Sequence, residues 1–502
     1  MRFCTTTLGC KVNQFETQAI ESILSDRGHE KAEAGEGCDV CIINTCAVTE
    51  ESIRKSRQAV RRLMNREPEA LIAVCGCFTQ LDSSAVMSLG ADHVGGSSDR
   101  RGFALEIEML FEAKGHSAPH KAVGDAVLSI PQVADDCKPG KTVGDAVPSV
   151  PQVAYDCESG NTVGEVVPSV PQVADDCKPG KTVGDAVPSV PNTAQLPIEQ
   201  EFEVLPVGNT GDRTRALLKI QDGCDNSCSY CVIPLVRGAA RSLPPDLAAE
   251  HARQLGHMGF REIVITGIEI SSYGKDIMGS PSLADAIREI SAAVPNARLR
   301  LGSLDPGIIT EAFCTDMSRI SNLCRHFHIS LQSGCDATLR RMGRKYETGT
   351  VFAMLGQLRR KFPGCGITAD IITGFPGETE TEFEQTIRFI RAAAFSDMHI
   401  FRFSPRPGTA AAEMPEQIPK VVRPDRARML AKAAGEMSLE FKKSQIGSAV
   451  EVLLERKLGH CWTGHSGNYI EVTLISGGEK NSLVPVRLTE LRGDLVWGHI
   501  ID

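Results

Sequence analysis

Residues 220–234 read IQDGCDNSCSYCVIP. Cys224, Cys228 and Cys231 stand there as C-x3-C-x2-C, straight after an apolar strand-like run and in a loop closed by Pro234. Three thiolates at this spacing can grip three irons of a 4Fe–4S cube and leave the fourth open for a small molecule to chelate. Four-cysteine sites usually transfer electrons or hold structure instead. The competing reading is a zinc knuckle with a remote fourth ligand. Zinc cysteines mostly come as pairs two to four residues apart with a second pair nearby, and no second pair follows here.

Working outward, short apolar runs alternate with helical patterns for about 200 residues from 214 onward. The runs are RALLKIQDG, REIVITGIEI, RLRLGSL, HFHISLQSG, GITADIITGFPGE and DMHIFRFSP, and helices are expected to start near Pro245, Ser282, Gly307, Gly349 and Thr379. Six βα units of this kind predict a parallel barrel or partial barrel with its active site at the C-terminal strand ends. The first ~110 residues repeat the alternation in MRFCTTTL, CDVCIINTC, ALIAVCGC and ADHVGG, which predicts a second parallel-sheet α/β domain. From about 446 the period shortens. SAVEVLLER, NYIEVTLI, LVPVRLTELRG and LVWGHI read as strands of a small all-β module, possible as a barrel.

Residues 123–194 depart from all this. VGDAVLSIPQVADDCKPGKT recurs with a 20-residue period, placing Cys137, Cys157 and Cys177 in register. Each copy carries Pro and Gly every few residues and almost no large apolar side chain, so stacked copies would bury little surface. An acidic, mobile linker is expected. It holds ten Asp/Glu against four Lys, or −6 of the chain's net −9. The remaining −3 neither supports nor excludes an RNA partner.

The whole chain has 502 residues, 42% of them apolar and 23% charged, as in soluble multidomain proteins. No apolar run is long enough to span a bilayer, and the N-terminus reads as a strand rather than a signal peptide. A cytoplasmic location without membrane contact is expected. In that reducing compartment, tightly spaced members of the 18 cysteines point to metal or catalysis rather than disulfides.

Cys10, Cys46 and Cys77 each close one strand of the first domain, in TTLGC, IINTC and AVCGC. Ligands of open parallel sheets collect at such ends, so three thiols could converge on a second metal site. Core packing is the alternative, and it is the default for Cys4, Cys38, Cys41 and Cys75.

The triplet, with Tyr230 before its third cysteine and six βα units after it, resembles the radical S-adenosylmethionine superfamily. TLGCKVNQFET, INTCAVTEES and GCFTQ are similar to the N-terminal domain of its methylthiotransferase family. GHCWTGHSGNYIEVTL and LVPVRLTEL look like the TRAM module, a small RNA-binding β-barrel. The resemblance covers the chain outside the repeat. It divides the sequence into a methylthiotransferase α/β domain (1–115), the repeat linker (116–200), a partial (βα)6 radical barrel (210–440) and a TRAM-like barrel (441–502).

The resemblance also implies two 4Fe–4S clusters, held by Cys224, Cys228 and Cys231 and by Cys10, Cys46 and Cys77, with no catalytic side chain beyond these ligands. S-adenosylmethionine contacts are then expected from Tyr230, Gly267, Arg300, Gln332 and Asp370, although Gly267 could be a plain turn residue and Arg300 a surface charge. The implied reaction has two stages. One cofactor molecule methylates a sulfur on the second cluster, and another is cleaved to a radical that activates an otherwise inert C–H position. An electron donor such as flavodoxin or ferredoxin is implied as well.

Of the family's substrates, TLGCKVN, TRALLKIQDGC and FHISLQSG most resemble the branch acting on N6-threonylcarbamoyladenosine at tRNA position 37, next to the anticodon. The alternatives are N6-isopentenyladenosine (GCQMN at the first site) and a ribosomal-protein aspartate (GCPKN). A non-catalytic iron–sulfur RNA-binding protein is the reading from a different class. Candidate phosphate donors to the anticodon stem-loop are Arg237, Arg241, Arg340, Arg341, Arg344, Lys345, Lys442 and Lys443.

Overall fold

A computed structural model describes residues 1–114, 196, 198, 200–208, 213–475 and 477–501. The 20-residue repeat and its three cysteines lie outside the described residues. Strands β1 (Arg2–Thr7), β2 (Glu30–Lys31), β3 (Val40–Thr45), β4 (Leu71–Gly76) and β5 (His93–Val94) form an all-parallel sheet in the order β2-β1-β3-β4-β5. Every residue of β3 and β4 is buried, as expected of central parallel strands covered on both faces. Helix α1 (Lys11–Asp26) follows β1 with Cys10 at its N-cap. Helix α2 (Glu50–Arg66) follows β3, where Thr49 caps the Ser52 N–H and Glu50 and Glu51 suit the positive helix end. A further helix, Arg100–Ala113, closes the domain and was not read from the sequence.

The second group contains β6 (Arg215–Lys219), β7 (Gln221–Asp222), β8 (Arg241–Ser242), β9 (Glu262–Thr266), β10 (Arg298–Leu301), β11 (Ser303–Leu304), β12 (His326–Gln332), β13 (Gly366–Thr373) and β14 (Asp397–Arg402). Parallel sheets β10-β9-β6 and β11-β12-β13-β14 meet where Leu299 bridges Leu323, giving one arc of six strand positions from β6 to β14. Helices cover its outside; those at Leu283 and Glu380 open with capping boxes built on Ser282 and Thr379.

The 24-residue helix Val422–Gln445 leads to β15 (Ala449–Leu458), β16 (Cys461–Ser466), β17 (Glu471–Leu474), β18 (Leu483–Arg492) and β19 (Leu495–Ile500). These close into a barrel in the order β15-β16-β17-β19-β18 around Val452, Leu454, Val472 and Val486. This small barrel is fastened beneath the arc. Arg298 donates to the carbonyls of Glu451 (3.0 Å) and His465 (2.7 Å), and Arg300 to those of Ser466 (3.1 Å) and Gly467 (3.2 Å). Both arginines also hold the buried Glu262. The described residues all belong to one unit, Met1–His120 with Pro188–Asp502. Among them no helix is long and apolar enough to cross a membrane.

Candidate active site

Cys224, Cys228 and Cys231 sit half-buried in the loop after β7, as free thiols. The loop is tied down by Ser229, whose N–H donates to the Met342 carbonyl and whose carbonyl accepts from Ala411. Each sulfur has its own donor. The N–H of Asn226 points at Cys224 Sγ (3.5 Å), that of Ile233 at Cys231 Sγ (3.4 Å), and Arg344 Nη1 at Cys228 Sγ (3.2 Å). Donors aimed at sulfur stabilise thiolates, the form that binds iron. Without a metal, burial pushes the Cys224 thiol up to about 11 and Cys231 to about 12. This set therefore fits a bound cation that supplies the missing positive charge.

A cavity of ≈ 380 Å³ opens beside the triplet, lined by Asn226, Cys228, Glu269, Asp305, Arg344 and Lys345 among others. Burial, and then the Asp305 charge, raise the Glu269 carboxyl above its ordinary value. Nothing local in the sequence marks Asp305 as a neighbour of Glu269; folding alone brings the two together.

The expected cofactor contacts divide. Tyr230 meets Phe375 edge-on at 6.3 Å between ring centres, within an apolar group including Met342 and Phe403. Gly267 follows β9 where a Cβ would stand 2.9 Å from Gln221, so only glycine lets those strand ends approach so closely. Gln332 ends β12 with a positive φ of 69° and a broken ladder register, a strained conformation of the kind found at functional sites. Asp370 lies between His328 Nε2 and His399 Nδ1, 3.2 Å from each, and its carboxyl is held at about 2: burial opposes the charge, but both histidines favour it. Arg300 stands apart, since its guanidinium is matched by Glu262 and by small-barrel carbonyls, away from the triplet.

The second triplet follows three adjacent strands of the N-terminal sheet. Cys10 starts α1, Cys46 follows β3, and Cys77 opens the short helix after β4. A Cβ on Gly9 would stand 3.0 Å from Cys46 Sγ, so glycine lets this turn close over the thiol. Burial, then the neighbouring Cys77 and Cys10, push the Cys46 thiol to about 11. Burial also raises Cys10, while the Arg237 charge pulls it down. Cys75 is fully buried in the apolar core, Cys4 and Cys41 face each other across β1 and β3 at 3.2 Å, and Cys38 is buried near them.

Arg237 joins the two triplets. It ends the helix Ile233–Arg237, which begins just after Cys231, and it is fully buried. Its Nε donates to Cys77 Sγ (3.4 Å), Nη2 to Asn13 (2.8 Å), and Nη1 to Glu16 (2.8 Å) and Asp222 (3.0 Å). A side chain six residues beyond one triplet thus touches a thiol of the other. Arg237 and Arg241 are consequently structural rather than phosphate donors: both are buried and both meet Asp222. Arg344 is bound to Cys228 and Asp305. Arg341 pairs with Glu382, whereas Arg340, Lys345, Lys442 and Lys443 reach solvent.

Two family models match this chain: the uncharacterized protein family UPF0004 over residues 2–95, and the Radical SAM superfamily over residues 218–390. Each span contains one thiol triplet. The chain is 31% identical over 503 residues to the threonylcarbamoyladenosine tRNA methylthiotransferase MtaB of Thermotoga maritima, covering 98% of both chains. It is 30% identical to the Bacillus subtilis protein of the same name, over 93% of this chain and 88% of that one. The chain belongs to the radical S-adenosylmethionine methylthiotransferase family. A tRNA-2-methylthio-N(6)-dimethylallyladenosine synthase of Acetivibrio thermocellus is 27% identical over 90% of this methylthiotransferase and 80% of its own length. Among solved structures, the radical S-adenosylmethionine methyltransferase TsrM of Kitasatospora setae shares the fold at 13% identity, with a TM-score of 0.51 over 82% of this chain and 74% of that one. As a member of the methylthiotransferase family, the chain is an enzyme that transfers a sulfur-containing group, using S-adenosylmethionine and 4Fe–4S chemistry.

Proposed function

We propose that this methylthiotransferase adds a 2-methylthio group to N6-threonylcarbamoyladenosine at position 37 of tRNA, next to the anticodon. Two 4Fe–4S clusters serve it, one on Cys224, Cys228 and Cys231 and one on Cys10, Cys46 and Cys77. The observation that supports this reading is the Arg237–Cys77 contact, because Arg237 stands six residues after Cys231 and touches a thiol of the second triplet. The nearly full-length likeness to threonylcarbamoyladenosine enzymes supports the choice of base.

The bound groups supply radical generation by reductive cleavage of a sulfonium. The chain's own residues do the positioning. Arg344 and the Asn226 and Ile233 N–H groups hold the first thiolates, Arg237 steadies the second set, and Tyr230 with Phe375 forms an apolar wall beside the triplet. The small C-terminal barrel acts as a TRAM-like grip on the anticodon stem-loop. A cytoplasmic setting, with flavodoxin or ferredoxin as electron donor, completes the proposal.

Mass spectrometry of tRNA nucleosides from cells lacking the protein tests it. The 2-methylthio derivative should vanish while N6-threonylcarbamoyladenosine accumulates; persistence of the derivative would refute the substrate assignment. Cys228→Ala should separately abolish 5′-deoxyadenosine release from the reduced enzyme.

A further inference from the structure

Helix α2 distributes its charges unevenly. It carries six cations against two acids, and both acids, Glu50 and Glu51, stand in its first turn. Glu51 is already matched by Arg54 (2.8 Å) and Lys55 (3.8 Å). From Arg57 to Arg66 the helix has no acid at all. Arg61, Arg62 and Arg66 are exposed there and make no ion pair or hydrogen bond among the described residues. With Gln58 and Asn65 they line an open hollow of ≈ 560 Å³. The other side of the helix is apolar, with Val60 and Leu63 buried in one cluster with Ile43, Ile72 and Val74 of the sheet.

A face kept only for solubility mixes both signs. This one sets Arg57 near Arg61 and Arg62 near Arg66, like charges four residues apart that destabilise a helix unless an anion lies across them. Its position ties it to the second triplet. Ser56 Oγ lies 3.3 Å from both the N–H and the carbonyl oxygen of Cys46, and the Arg57 guanidinium lies 5.4 Å over the ring of Phe78, the neighbour of Cys77. The Glu50 N–H donates to Ser404 Oγ (3.2 Å), just past β14, which fixes the start of the helix to the arc. From Arg57 to Arg66 the stripe runs for about 14 Å, room for several phosphates of one strand. Other cations that the sequence offered for phosphate have partners: Arg340 faces Glu347 (3.4 Å), Arg341 faces Glu382 (2.6 Å) and Lys443 faces Glu440 (2.9 Å).

We propose that the arginine face of α2 is a docking surface for the phosphate backbone of the substrate tRNA, on the strand flanking the base that is modified. This rests on the function proposed above and names a surface that holds the RNA. Guanidinium groups make forked, charge-assisted bonds to phosphate oxygens, and Gln58 and Asn65 add neutral donors to phosphate or ribose. Such contacts fix register and orientation without reading a base. A net charge of −9 gives RNA no general attraction to this chain, so a local basic stripe has to supply it.

The test is equilibrium binding and steady-state kinetics with the full-length, iron-loaded enzyme and tRNA carrying N6-threonylcarbamoyladenosine, in about 50 to 200 mM salt. The triple variant Arg61→Gln, Arg62→Gln and Arg66→Gln should raise Kd and KM about 10- to 100-fold and flatten the dependence of log Kd on log salt by about 2 to 3. The same factor should appear with that tRNA bearing an unmodified adenosine, because a backbone contact is blind to the base. Lysine at the three positions should restore most of the affinity and the slope. A control triple, Arg253→Gln, Arg288→Gln and Arg319→Gln, removes equal charge from exposed sites of the arc that are each paired with a nearby acid, and should leave Kd unchanged.

Unchanged Kd and slope in the α2 triple, an equal loss in the control triple, or a loss confined to the modified tRNA would each overturn the proposal. Iron content and circular dichroism are measured in parallel. If the α2 triple loses iron, the single variant Arg62→Gln decides: a slope lower by about 1 supports the surface, and an unchanged slope removes it. Should wild type bind the tRNA with the α2-dependent slope yet form no methylthio product, the functional reading fails and the docking surface stands.

Discussion

Substituting Glu16 by glutamine should loosen the N-terminal domain from the barrel. The carboxylate is 1% exposed and accepts from Arg237 Nη1 (2.8 Å), Arg100 Nη2 (3.1 Å) and Lys219 Nζ (3.1 Å). The other carboxylate of the group is Asp222, which meets Lys219 at 2.6 Å, Arg237 at 3.0 Å and Arg241 at 3.7 Å. Four cations thus share two acids. Glutamine keeps the shape but leaves Lys219, Arg237 and Arg241 to Asp222 and takes from Arg100 its Glu16 partner. Removing one partner of a buried pair typically costs about 3–5 kcal/mol, and the individual bonds do not sum. The contributors come from α1, the helix Arg100–Ala113, β6 and the helix Ile233–Arg237, so the loss should fall on domain docking.

Urea unfolding of the metal-free chain, followed by circular dichroism and limited proteolysis, should show the N-terminal transition destabilised by that amount. Acid supplies a second check. Burial opposes ionisation of Glu16, yet Arg237, Lys219 and Arg100 outweigh it and hold the carboxyl well below its ordinary value. A depressed folded value means that the stabilisation is complete above the unfolded carboxyl range, near pH 4.3, and drains away as pH falls towards the folded value. The gap between wild type and variant should close across that window. A variant within about 1 kcal/mol of wild type at neutral pH, or a gap that ignores acid, would refute the argument.

Gly76→Ala should destabilise by more than about 3 kcal/mol in the same assay, because Gly76 has φ +108° and a Cβ there would collide with the Thr45 backbone. Arg344→Met should lower 5′-deoxyadenosine formation about 10- to 100-fold by removing the donor to Cys228 Sγ, with near-normal activity as the contrary result. Asp370→Asn should lower the His399 midpoint in an NMR titration, since the Asp370 hydrogen bond is the main cause of its rise. The stability that His399 contributes is full below the unfolded histidine value, about 6.5, and lost as pH climbs through the raised folded value. The variant should lack that alkaline-side loss.

Much of this was legible in the chain because it is written locally. Short β-branched runs such as CDVCIINTC, alternating with amphipathic helical segments, point to central parallel strands, and cysteines at three and two intervening residues mark a loop site by themselves. That Cys10, Cys46 and Cys77 each close a neighbouring parallel strand was legible from the strand–helix alternation, while their assignment as one ligand set rested on the motif resemblance. What escaped depends on distance in sequence. Arg237 reads as one more basic residue near a metal loop, and only folding brings it to a cysteine 160 residues earlier. Arg300 was read as a strand-end contact, but it is the third residue of a strand starting at Arg298, and its neighbour across the ladder, Val264, lies close to the Glu262 that claims its charge. The strand Cys461–Ser466 went unread because CWTGHS offers little apolar alternation, and the helix Val422–Gln445 because its polar composition gives only a weak periodic signal.

The seam between the two barrels has a consequence for reach. Arg298 and Arg300 clamp four carbonyls of the C-terminal barrel against the underside of the arc, and Asn468 adds a bond to the Gly364 carbonyl. If that module grasps the tRNA as proposed, the RNA would not swing on a hinge toward the first triplet. It would be held at a fixed span, as between the jaws of a calliper. On that proposal only a nucleotide at the matching number of steps from the grasped stem would enter the chamber, so the address of the modified base would be set by the length of the protein as much as by what the base carries.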